Sequence, residues 1–408
     1  MLTVDFARSE TPTTCSFGVT SEVGLLRRVL IHTPSAELDH LQPGNALDML
    51  FDDSPAPARA ADEHRAFEAL LHESGVDAVQ VKVALQAALA SAAARHAVIR
   101  AIEAGHATMP GSVDMALREL LSYASPAQLA DLLIHGVTMR QLDIADVSDW
   151  IDPNEFALRP LPNQVFTRDS SFVVGDTICL PSMAKSARTG EALVIEAVYR
   201  ALQAVDPIES CDHEVLHPDV EGGDVLVVND RTVVIGQGER NSPSAVLHLA
   251  EALICQQPDL TVVVTKIPRV RSAMHLDTVM TFVDEDLLLA YEPVVPHLQA
   301  YTFARRGGQV RCVDSGPLLP TLAAGAGTEL EVIETKGSPA TMAREQWNDA
   351  YNVLCLRPRT VIAYARNHAT NDALARHGVD VLAIDGNELG RGRGGPRCMS
   401  APLLRDHP

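Results

Sequence analysis

The chain has 408 residues, 46% of them hydrophobic and 21% charged, which is the composition of a globular protein large enough for two or three domains. Its formal net charge of −20 argues against nucleic acid and anionic membrane as partners, because both would be repelled. No apolar run in the sequence approaches the length of roughly 18 residues that a membrane-spanning helix needs. The first residues lack the pattern of a signal peptide.

Predicted elements alternate between strand and helix at the start of the chain. Residues 28–32 have the pattern of a strand, and apolar residues recur at helical spacing over 62–73. Gly75 ends this helix, and the alternation over 76–81 predicts the next strand.

A stretch of different composition follows, which is rich in helix-forming residues and poor in residues that favour strands. We therefore predict an all-helical bundle domain at residues 84–149, inserted into an α/β domain formed by residues 1–83 and 150–408. The helices predicted in this insertion cover residues 84–105, 113–122, 126–135 and 139–144.

Strand patterns return after residue 167, with helices between them. The predicted strands cover residues 170–180, 225–228, 232–235, 261–265, 279–283, 287–290, 360–363 and 379–384. The predicted helices cover residues 191–204, 243–255, 341–351 and 371–377. Ser242 and Pro243 form a good helix start, with serine as the N-cap.

One short pattern occurs twice, around Gly75 and around Gly378. In both places a helix ends at the sequence Gly-Val-Asp and a short apolar strand follows. This repeated pattern indicates that one β/α unit recurs along the chain, and chance similarity is the alternative explanation.

The seven cysteines are scattered, odd in number and without a Cys-x-x-Cys pair. Neither a disulfide framework nor a zinc knuckle fits this pattern, so a reducing cytoplasm is the predicted location. Cys398 differs from the others because the segment from Arg391 to Ser400 contains three arginines, three glycines and a proline. We predict a loop with a reactive thiol there, because nearby cationic charge favours ionisation, and a flexible, solvated loop with an incidental cysteine is the alternative. Cys255 lies in an apolar run, which is typical of a buried structural thiol.

Three further polar segments lie where predicted strands begin or end, which is where scaffolds commonly present catalytic groups. They cover residues 161–169, 221–224 and 275–277. His275 and Asp277 are two residues apart and would share one side of an extended segment. One cysteine, one histidine and several carboxylates predict thiol-based nucleophilic catalysis. Metal binding by the same polar groups is the alternative, although no metal-binding spacing supports it.

The motifs, in chain order, are Ser21-Glu22-Val-Gly-Leu-Leu-Arg-Arg-Val-Leu-Ile, Leu50-Phe51-Asp52-Asp53, Phe166-Thr-Arg-Asp169, Glu221-Gly-Gly-Asp224, His275-Leu-Asp277 and Gly394-Gly-Pro-Arg-Cys398-Met-Ser. Together they resemble the bacterial arginine deiminase family, within the guanidine-modifying (pentein) superfamily. The resemblance covers essentially the whole chain, including the helical insertion. One departure is Gln237, where the family often has an apolar residue such as methionine.

The resemblance implies an α/β propeller with fivefold pseudosymmetry, built from ββαβ modules around a central site. It implies hydrolysis of L-arginine to L-citrulline and ammonia, with no metal or organic cofactor. The implied protein binds neither nucleic acid nor membrane, and it associates with copies of itself as a homo-oligomer.

The resemblance also implies the catalytic roles. Asp169 and Asp277 would hold the planar guanidinium, and the Cys398 thiolate would attack its central carbon. His275 would protonate the departing nitrogen and then activate water, with Glu221 as its orienting partner.

The substrate-binding positions implied in the same way are Asn163, Phe166, Arg188, Asp224, Arg240, Gly392 and Arg393. Among them, Arg188 and Arg240 match positions that receive the α-carboxylate, and Asn163 lies near the α-amino and carboxylate groups. Phe166 would line the aliphatic stem. Arg393 matches a mobile residue of the cysteine loop.

Three other interpretations stay open at this point. A dimethylarginine hydrolase or an amidinotransferase would use related motifs, although both usually lack the long helical insertion. A non-catalytic arginine-binding protein and a metal-dependent hydrolase are the remaining alternatives.

Overall fold

The computed structural model describes residues 17–105, 111–142, 152–205 and 214–408. Cys15, Cys211 and the end of the helix predicted at 139–144 lie outside these ranges. The fold is mixed α/β. Its described helices are α1 (Pro57–Glu73), α2 (Val81–Leu89), α3 (Ala92–Gly105), α4 (Gly111–Tyr123), α5 (Pro126–His135), α6 (Thr167–Ser170), α7 (Thr189–Val205), α8 (Pro243–Gln256), α9 (Leu318–Ala326), α10 (Pro339–Trp347) and α11 (His368–Arg376).

Most of the described strands are short and buried. They are β1 (Leu26–Ile31), β2 (Asp77–Gln80), β3 (Val137–Thr138), β4 (Phe156–Leu158), β5 (Phe172–Val174), β6 (Thr177–Cys179), β7 (Val215–Leu216), β8 (Val225–Asn229), β9 (Thr232–Gln237), β10 (Thr261–Lys266), β11 (Met280–Asp284), β12 (Leu287–Ala290), β13 (Gln299–Arg306), β14 (Gln309–Pro317), β15 (Glu331–Ile333), β16 (Leu354–Arg357), β17 (Thr360–Tyr364), β18 (Asp380–Ile384) and β19 (Ala401–Arg405).

One arrangement of strands occurs five times in the described part of the chain. Two strands pair antiparallel, a helix follows, and a third strand pairs parallel to the second. We number these units first to fifth: β19–β1–β2 with α1, β5–β6–β7 with α7, β8–β9–β10 with α8, β11–β12–β15 with α9, and β16–β17–β18 with α11.

The repeated Gly-Val-Asp pattern occupies equivalent places in two of these units. Gly75 lies between α1 and β2 with φ of 79°, and Gly378 lies between α11 and β18 with φ of 75°. Positive φ favours glycine, because other residues pay a steric cost there. The hint of a repeated β/α unit is therefore confirmed.

Buried apolar residues connect each unit to its neighbours. Because side chains alternate along a strand, Val225 and Val227 of β8 join one cluster while Leu226 and Val228 join another. The first of these clusters contains residues of the first, second and third units, and the other contains residues of the third, fourth and fifth. A third cluster contains residues of the fifth and first units.

The helices α2 to α5 lie where the sequence predicts an all-helical insertion. Their apolar faces belong to the same buried cluster as β5, β6 and α7, so they share a core with the sheets. Within the described residues, no helix is both long and apolar enough to span a membrane.

Several predicted elements were wrong in detail. The helix predicted at 84–105 is two helices, α2 and α3. The strand predicted at 170–180 is a hairpin, because Gly175 takes a left-handed φ of 60° and turns the chain. The helix predicted at 341–351 ends at Trp347, and Asp349 has a left-handed φ of 58°. The hairpin of β13 and β14 was not predicted.

Candidate active site

Polar residues gather at the point where each unit begins. Asp169 precedes β5, Glu221 precedes β8, His275 precedes β11, Asn352 precedes β16 and Cys398 precedes β19. All five side chains are buried, with exposed fractions of 4% or less. The repeated unit thus brings segments that are far apart in sequence to one place.

His275 lies between two carboxylates. Its Nε2 is 2.7 Å from Glu221 Oε2, and its Nδ1 is 3.5 Å from Asp169 Oδ1. Glu221 is itself held by the backbone N–H of Ala184, which donates to Oε1 at 2.9 Å. The pair predicted to act as acid–base group and orienter is therefore in direct contact.

Cys398 lies beside Asp277. The sulfur is 3.6 Å from Asp277 Oδ2, and the same oxygen accepts a 2.7 Å hydrogen bond from Arg397 Nη1. Asp277 Oδ1 and Asp169 Oδ1 are buried and accept no hydrogen bond from the described residues, although Asp169 Oδ1 forms the ion pair with His275. Two buried carboxylates thus each have an oxygen that can still accept a hydrogen bond, and a buried acceptor without one is costly.

The surroundings of Cys398 set its protonation, which the sequence left open. Burial raises the pKa of its thiol well above the ordinary value, and the negative charges of Asp277, Asp169 and Asp349 raise it further, against the opposing effect of Arg397. The thiol is therefore neutral at rest, although three arginines lie near it in the sequence.

The reason is visible in the contacts of the neighbouring arginines. Arg397 is committed to Glu22 and Asp277, and Arg391 pairs with Asp53 and Glu388, so their charges are largely compensated.

The comparison of the two cysteines was wrong. Cys255 is exposed, whereas Cys398 is buried. Leu253 and Ile254 of the same run are buried on one face of helix α8, and Cys255 lies on its exposed face. The glycine-rich arginine loop that carries Cys398 lies inside the protein. All five described cysteines are free thiols.

His275 carries a proton near neutral pH. Burial acts to lower its pKa, but the charge of Asp169 and the hydrogen bond to Glu221 outweigh burial and raise the pKa to about 9. For Glu221, burial acts to raise the pKa, and the bond and charge of His275 lower it to about 2. At rest the site therefore combines a neutral thiol with an imidazolium.

Arg188 contacts the protein through all three of its nitrogens. Nη1 donates to Asp169 Oδ2 at 2.5 Å, and Nε and Nη2 form a fork with Glu191 at 2.9 and 2.7 Å. Nη2 also donates to the carbonyl of Phe166 at 3.2 Å. These contacts fix the guanidinium in place and leave a substrate carboxylate at most one N–H of Nη1.

Arg240 is less committed. Its Nη1 lies 3.5 Å from Glu221 Oε2, its Nη2 lies 3.6 Å from Met274 Sδ, and its buried Nε has no partner. Asp224 is occupied by protein groups, since it accepts Asn241 Nδ2 at 2.8 Å and the N–H of Leu276 at 3.0 Å. Asp224 thus supports the segment that carries His275 and Asp277.

Asn163, Phe166 and Gly392 lie together next to the cysteine loop. Asn163 Nδ2 donates to the carbonyl of Met49 at 2.8 Å. A Cβ on Gly392 would come within 2.8 Å of the rings of both Phe166 and Phe51, so only glycine fits between them.

Arg393 is buried, with a left-handed φ of 63°, and none of its three side-chain nitrogens has a hydrogen-bond partner. Its Cζ lies 3.8 Å from the centroid of the Trp347 ring, and its Nε lies 3.9 Å from Asp349 Oδ1. Stacking on an aromatic face stabilises a guanidinium without using its N–H groups. Arg393 therefore keeps its donors available.

Three residues next to the site, Asn352, Asp349 and Trp347, were not predicted from the sequence. They lie just before the apolar strand β16, in the same kind of polar segment that indicated Glu221 and His275. The predicted helix over 341–351 hid that signal.

Asp169, Glu221 and His275 each offer a ligand atom within 4.8 Å of the others, which is the geometry of a possible metal site. The charges around it oppose a cation, because Arg188 and Arg240 contact the two carboxylates and His275 is protonated at neutral pH. These groups fit a proton-transfer pair better than a ligand set.

A family model described as arginine deiminase matches residues 47–405. The arginine deiminase of Mycobacterium tuberculosis is 39% identical over 398 residues, which cover 95% of this chain and 98% of that protein. That of Rhodococcus erythropolis is 38% identical over 400 residues, with coverage of 95% and 97%.

Solved structures share the fold at low identity. An amidinotransferase from Microseira wollei has a TM-score of 0.55 at 14% identity and covers 97% of this chain and 98% of its own. A Pseudomonas aeruginosa enzyme of the dimethylarginine dimethylaminohydrolase type, complexed with citrulline, has a TM-score of 0.51 at 16% identity, with coverage of 92% and 99%. Because these sequence matches cover nearly its whole length, the chain belongs to the arginine deiminase family.

Proposed function

We propose that the protein hydrolyses L-arginine to L-citrulline and ammonia through a covalent S-amidino intermediate on Cys398. The observation that carries this proposal is the pair of unpartnered carboxylate oxygens, Asp169 Oδ1 and Asp277 Oδ1, buried next to a cysteine and an imidazolium. A guanidinium is planar and cationic and has only N–H donors, so it suits two such acceptors.

In the first step, the Cys398 sulfur forms a bond to the central guanidinium carbon. The C–N bond to one terminal nitrogen then breaks, and that nitrogen leaves as ammonia with the proton that His275 holds. The raised pKa of His275, about 9, keeps this proton available at neutral pH, and its contact with Glu221 fixes the direction of the ring.

In the second step, His275 without its proton accepts one from water. The resulting hydroxide adds to the S-linked carbon, the C–S bond breaks and citrulline is released. The new hydroxyl gives its proton to the Cys398 sulfur as the C–S bond breaks, so Cys398 is again a thiol and His275 is again protonated. Counting the proton that the thiol releases when it ionises, one arginine cation and one water give one citrulline, one ammonia and one proton.

The neutral resting thiol implies that the substrate itself promotes its ionisation. A bound guanidinium places positive charge beside the sulfur and offsets Asp169 and Asp277, which both raise the pKa of Cys398 in its absence. The thiol proton then leaves to solvent, and the thiolate forms only where its substrate is bound.

The amino-acid end of the substrate needs cationic and amide groups. Arg240, with a buried unpartnered Nε, and Arg393, with three unpartnered nitrogens, are the proposed partners of the α-carboxylate. We assign Asn163 to the same end of the substrate, and Phe166 and Gly392 to its stem. Arg188 and Asp224 act by holding Asp169 and the segment of Leu276.

We also propose that the five units close into a propeller, with residues 1–83 and 150–408 as the catalytic domain and residues 84–149 as an inserted helical bundle. The buried clusters support closure, because the fifth unit packs against the first as well as the fourth. Association into a homo-oligomer in the cytoplasm stays a prediction that light scattering and cell fractionation would measure.

A metal-dependent hydrolase is the second candidate, favoured by the spacing of Asp169, Glu221 and His275. Prolonged dialysis against EDTA distinguishes the two. We expect turnover to be unchanged, and a loss that zinc or manganese restores would favour the metal enzyme.

The proposal is tested by assaying citrulline and ammonia release from arginine, methylated arginines and agmatine. We expect free arginine to be the preferred substrate, and preference for a methylated arginine would indicate the dimethylarginine hydrolase instead. Replacing Cys398 with serine should lower turnover by about 10⁴-fold or more, as expected for loss of a nucleophile.

Two measurements complete this test. Wild-type protein quenched during turnover should carry an amidino adduct on Cys398 by mass spectrometry. Cys255→Ser, which alters an exposed thiol, is the matched control and should keep full activity. Binding of arginine without turnover in the wild type would identify a non-catalytic arginine-binding protein.

A further inference from the structure

Asn352 contacts the backbone of both the nucleophile and a guanidinium-holding carboxylate. Its Oδ1 accepts the N–H of Cys398 at 2.9 Å, and its Nδ2 donates to the carbonyl of Asp277 at 3.1 Å. Its own carbonyl accepts the N–H of Arg397 at 3.3 Å. The side chain is fully buried, so these bonds are not exchanged with water.

The loop that carries Cys398 packs in close contact with Asn352. A Cβ on Gly395 would lie 2.4 Å from the Asn352 carbonyl oxygen and 2.9 Å from its Oδ1. Side chains essentially never come that close, so Gly395 lets the loop approach as far as the two hydrogen bonds require.

A carboxamide is suited to this position because it has a donor and an acceptor at one end. Aspartate would keep the acceptor but lose the donor, and alanine would lose both. Asn352 also occupies the start of the fifth unit, at the place where the other units carry Asp169, Glu221, His275 and Cys398.

We propose that Asn352 is a positioning residue that sets the placement of the Cys398 sulfur relative to Asp277, and thereby the geometry of attack on the guanidinium carbon. The inference rests on the proposed arginine hydrolysis. Asn352 acts through Cys398 and Asp277, so it affects formation of the covalent intermediate more than affinity for arginine. A displacement of the reacting atoms by about 1 Å costs on the order of 10²-fold in rate.

The test compares Asn352→Ala and Asn352→Asp with wild type in steady-state and quenched single-turnover assays with arginine. We expect kcat and the rate of adduct formation on Cys398 to fall by about 10²-fold in Asn352→Ala, with KM changed by less than about threefold. Asn352→Asp places a carboxylate next to Cys398, so it should additionally shift the rising limb of the pH–rate profile to higher pH.

Asn229→Ala is the matched control. Asn229 also bonds to backbone through both ends of its amide, donating to the carbonyl of Gly325 at 2.9 Å and accepting the N–H of Arg231 at 3.0 Å, in a turn of the third unit. We expect it to lose some stability and to keep the wild-type kcat and pH profile.

Four outcomes are decisive. A folded Asn352→Ala with the wild-type rate of adduct formation overturns the inference, as does a variant whose loss lies in KM alone. If Asn352→Ala does not fold, the isosteric Asn352→Asp decides, and an unshifted pH profile with unchanged kcat overturns the inference. Wild-type protein that releases no citrulline would instead refute the proposed function, and alkylation of Cys398 by 2-chloroacetamidine would then compare the variants.

Discussion

The protons on Cys398 and His275 set how the site can react. Three acidic side chains and burial keep the thiol neutral, whereas contact with Asp169 and Glu221 keeps the imidazole charged. In the proposed mechanism, such a site has a proton ready for a leaving group and no thiolate until a cation binds. Ionisation that depends on the charge of the substrate would protect the thiol from reaction with other electrophiles.

A first prediction concerns pH. The pKa of His275 is raised from 6.5 to about 9, so its protonated form, which releases ammonia, is lost as pH rises through about 9. We expect kcat/KM, which reports the pKa values of the free enzyme, to fall on that limb. The same shift contributes stability that is complete below pH 6.5 and is lost between pH 6.5 and about 9.

Two measurements check this prediction. Glu221→Gln removes a group that raises the pKa of His275, so the falling limb of kcat/KM should move to lower pH. Thermal unfolding of wild type from pH 6 to 10 should show the loss of stability, and His275→Gln should flatten it, whereas His297→Gln, an exposed histidine, should follow wild type. A falling limb near pH 6.5 in wild type would contradict the assignment.

Short turns rather than long helices present the site. Gly222–Asp224 and Leu276–Thr278 are single turns, and each leads directly into the first strand of a unit. These strands are buried and paired with neighbouring strands, which restrains the position of the turns attached to them. Glycines allow the turns to approach one another closely.

A second prediction follows for the turn of Gly223. A Cβ there would lie 2.7 Å from ring atoms of His275 and 2.9 Å from Asp169 Oδ1. We expect Gly223→Ala to displace the imidazole, lowering kcat by about 10²-fold and stability by about 1–3 kcal/mol. Gly44→Ala is the control, since a Cβ there would meet nothing within 4 Å. Full activity of Gly223→Ala would show that the turn can accommodate a methyl group without displacing the imidazole, which contradicts this prediction.

At the scale of the molecule, the first unit is built from both ends of the described chain. β1 pairs antiparallel with β19 and parallel with β2. Ala401 and Leu403 of β19 are fully buried, and Arg405 donates to the carbonyls of Gly24 and Cys355. The last strand therefore holds the first unit together and anchors the loop of Cys398 directly before it.

A third prediction tests this closure. Ending the chain after Ser400 removes β19 and should abolish cooperative unfolding, because the buried residues of β1 lose their partner. Ending it after Asp406 removes only the exposed His407 and Pro408 and should leave the melting temperature within a few degrees. Calorimetry and limited proteolysis would measure both. A cooperative transition in the shorter protein would mean that β19 is dispensable.

Much of the fold and of the site could be predicted because it depends on local patterns. Helical periodicity indicated α5 and α8, a serine cap located the start of α8, and Gly75 and Gly378 marked a repeated unit. Elements without a clear period, such as the exposed hairpin of β13 and β14, were missed, because exposed strands lack the alternation that signals burial.

By itself, the sequence determined which chemistry-bearing residues the protein has and that they precede strands. Only the tertiary structure decided their protonation and partners. The pKa of Cys398 depends on Asp277, and the proton of His275 depends on Glu221, groups that are 121 and 54 residues away in sequence. Electrostatic interactions act over a few ångströms of space, so three arginines near Cys398 in sequence mattered less than three carboxylates near it in the fold.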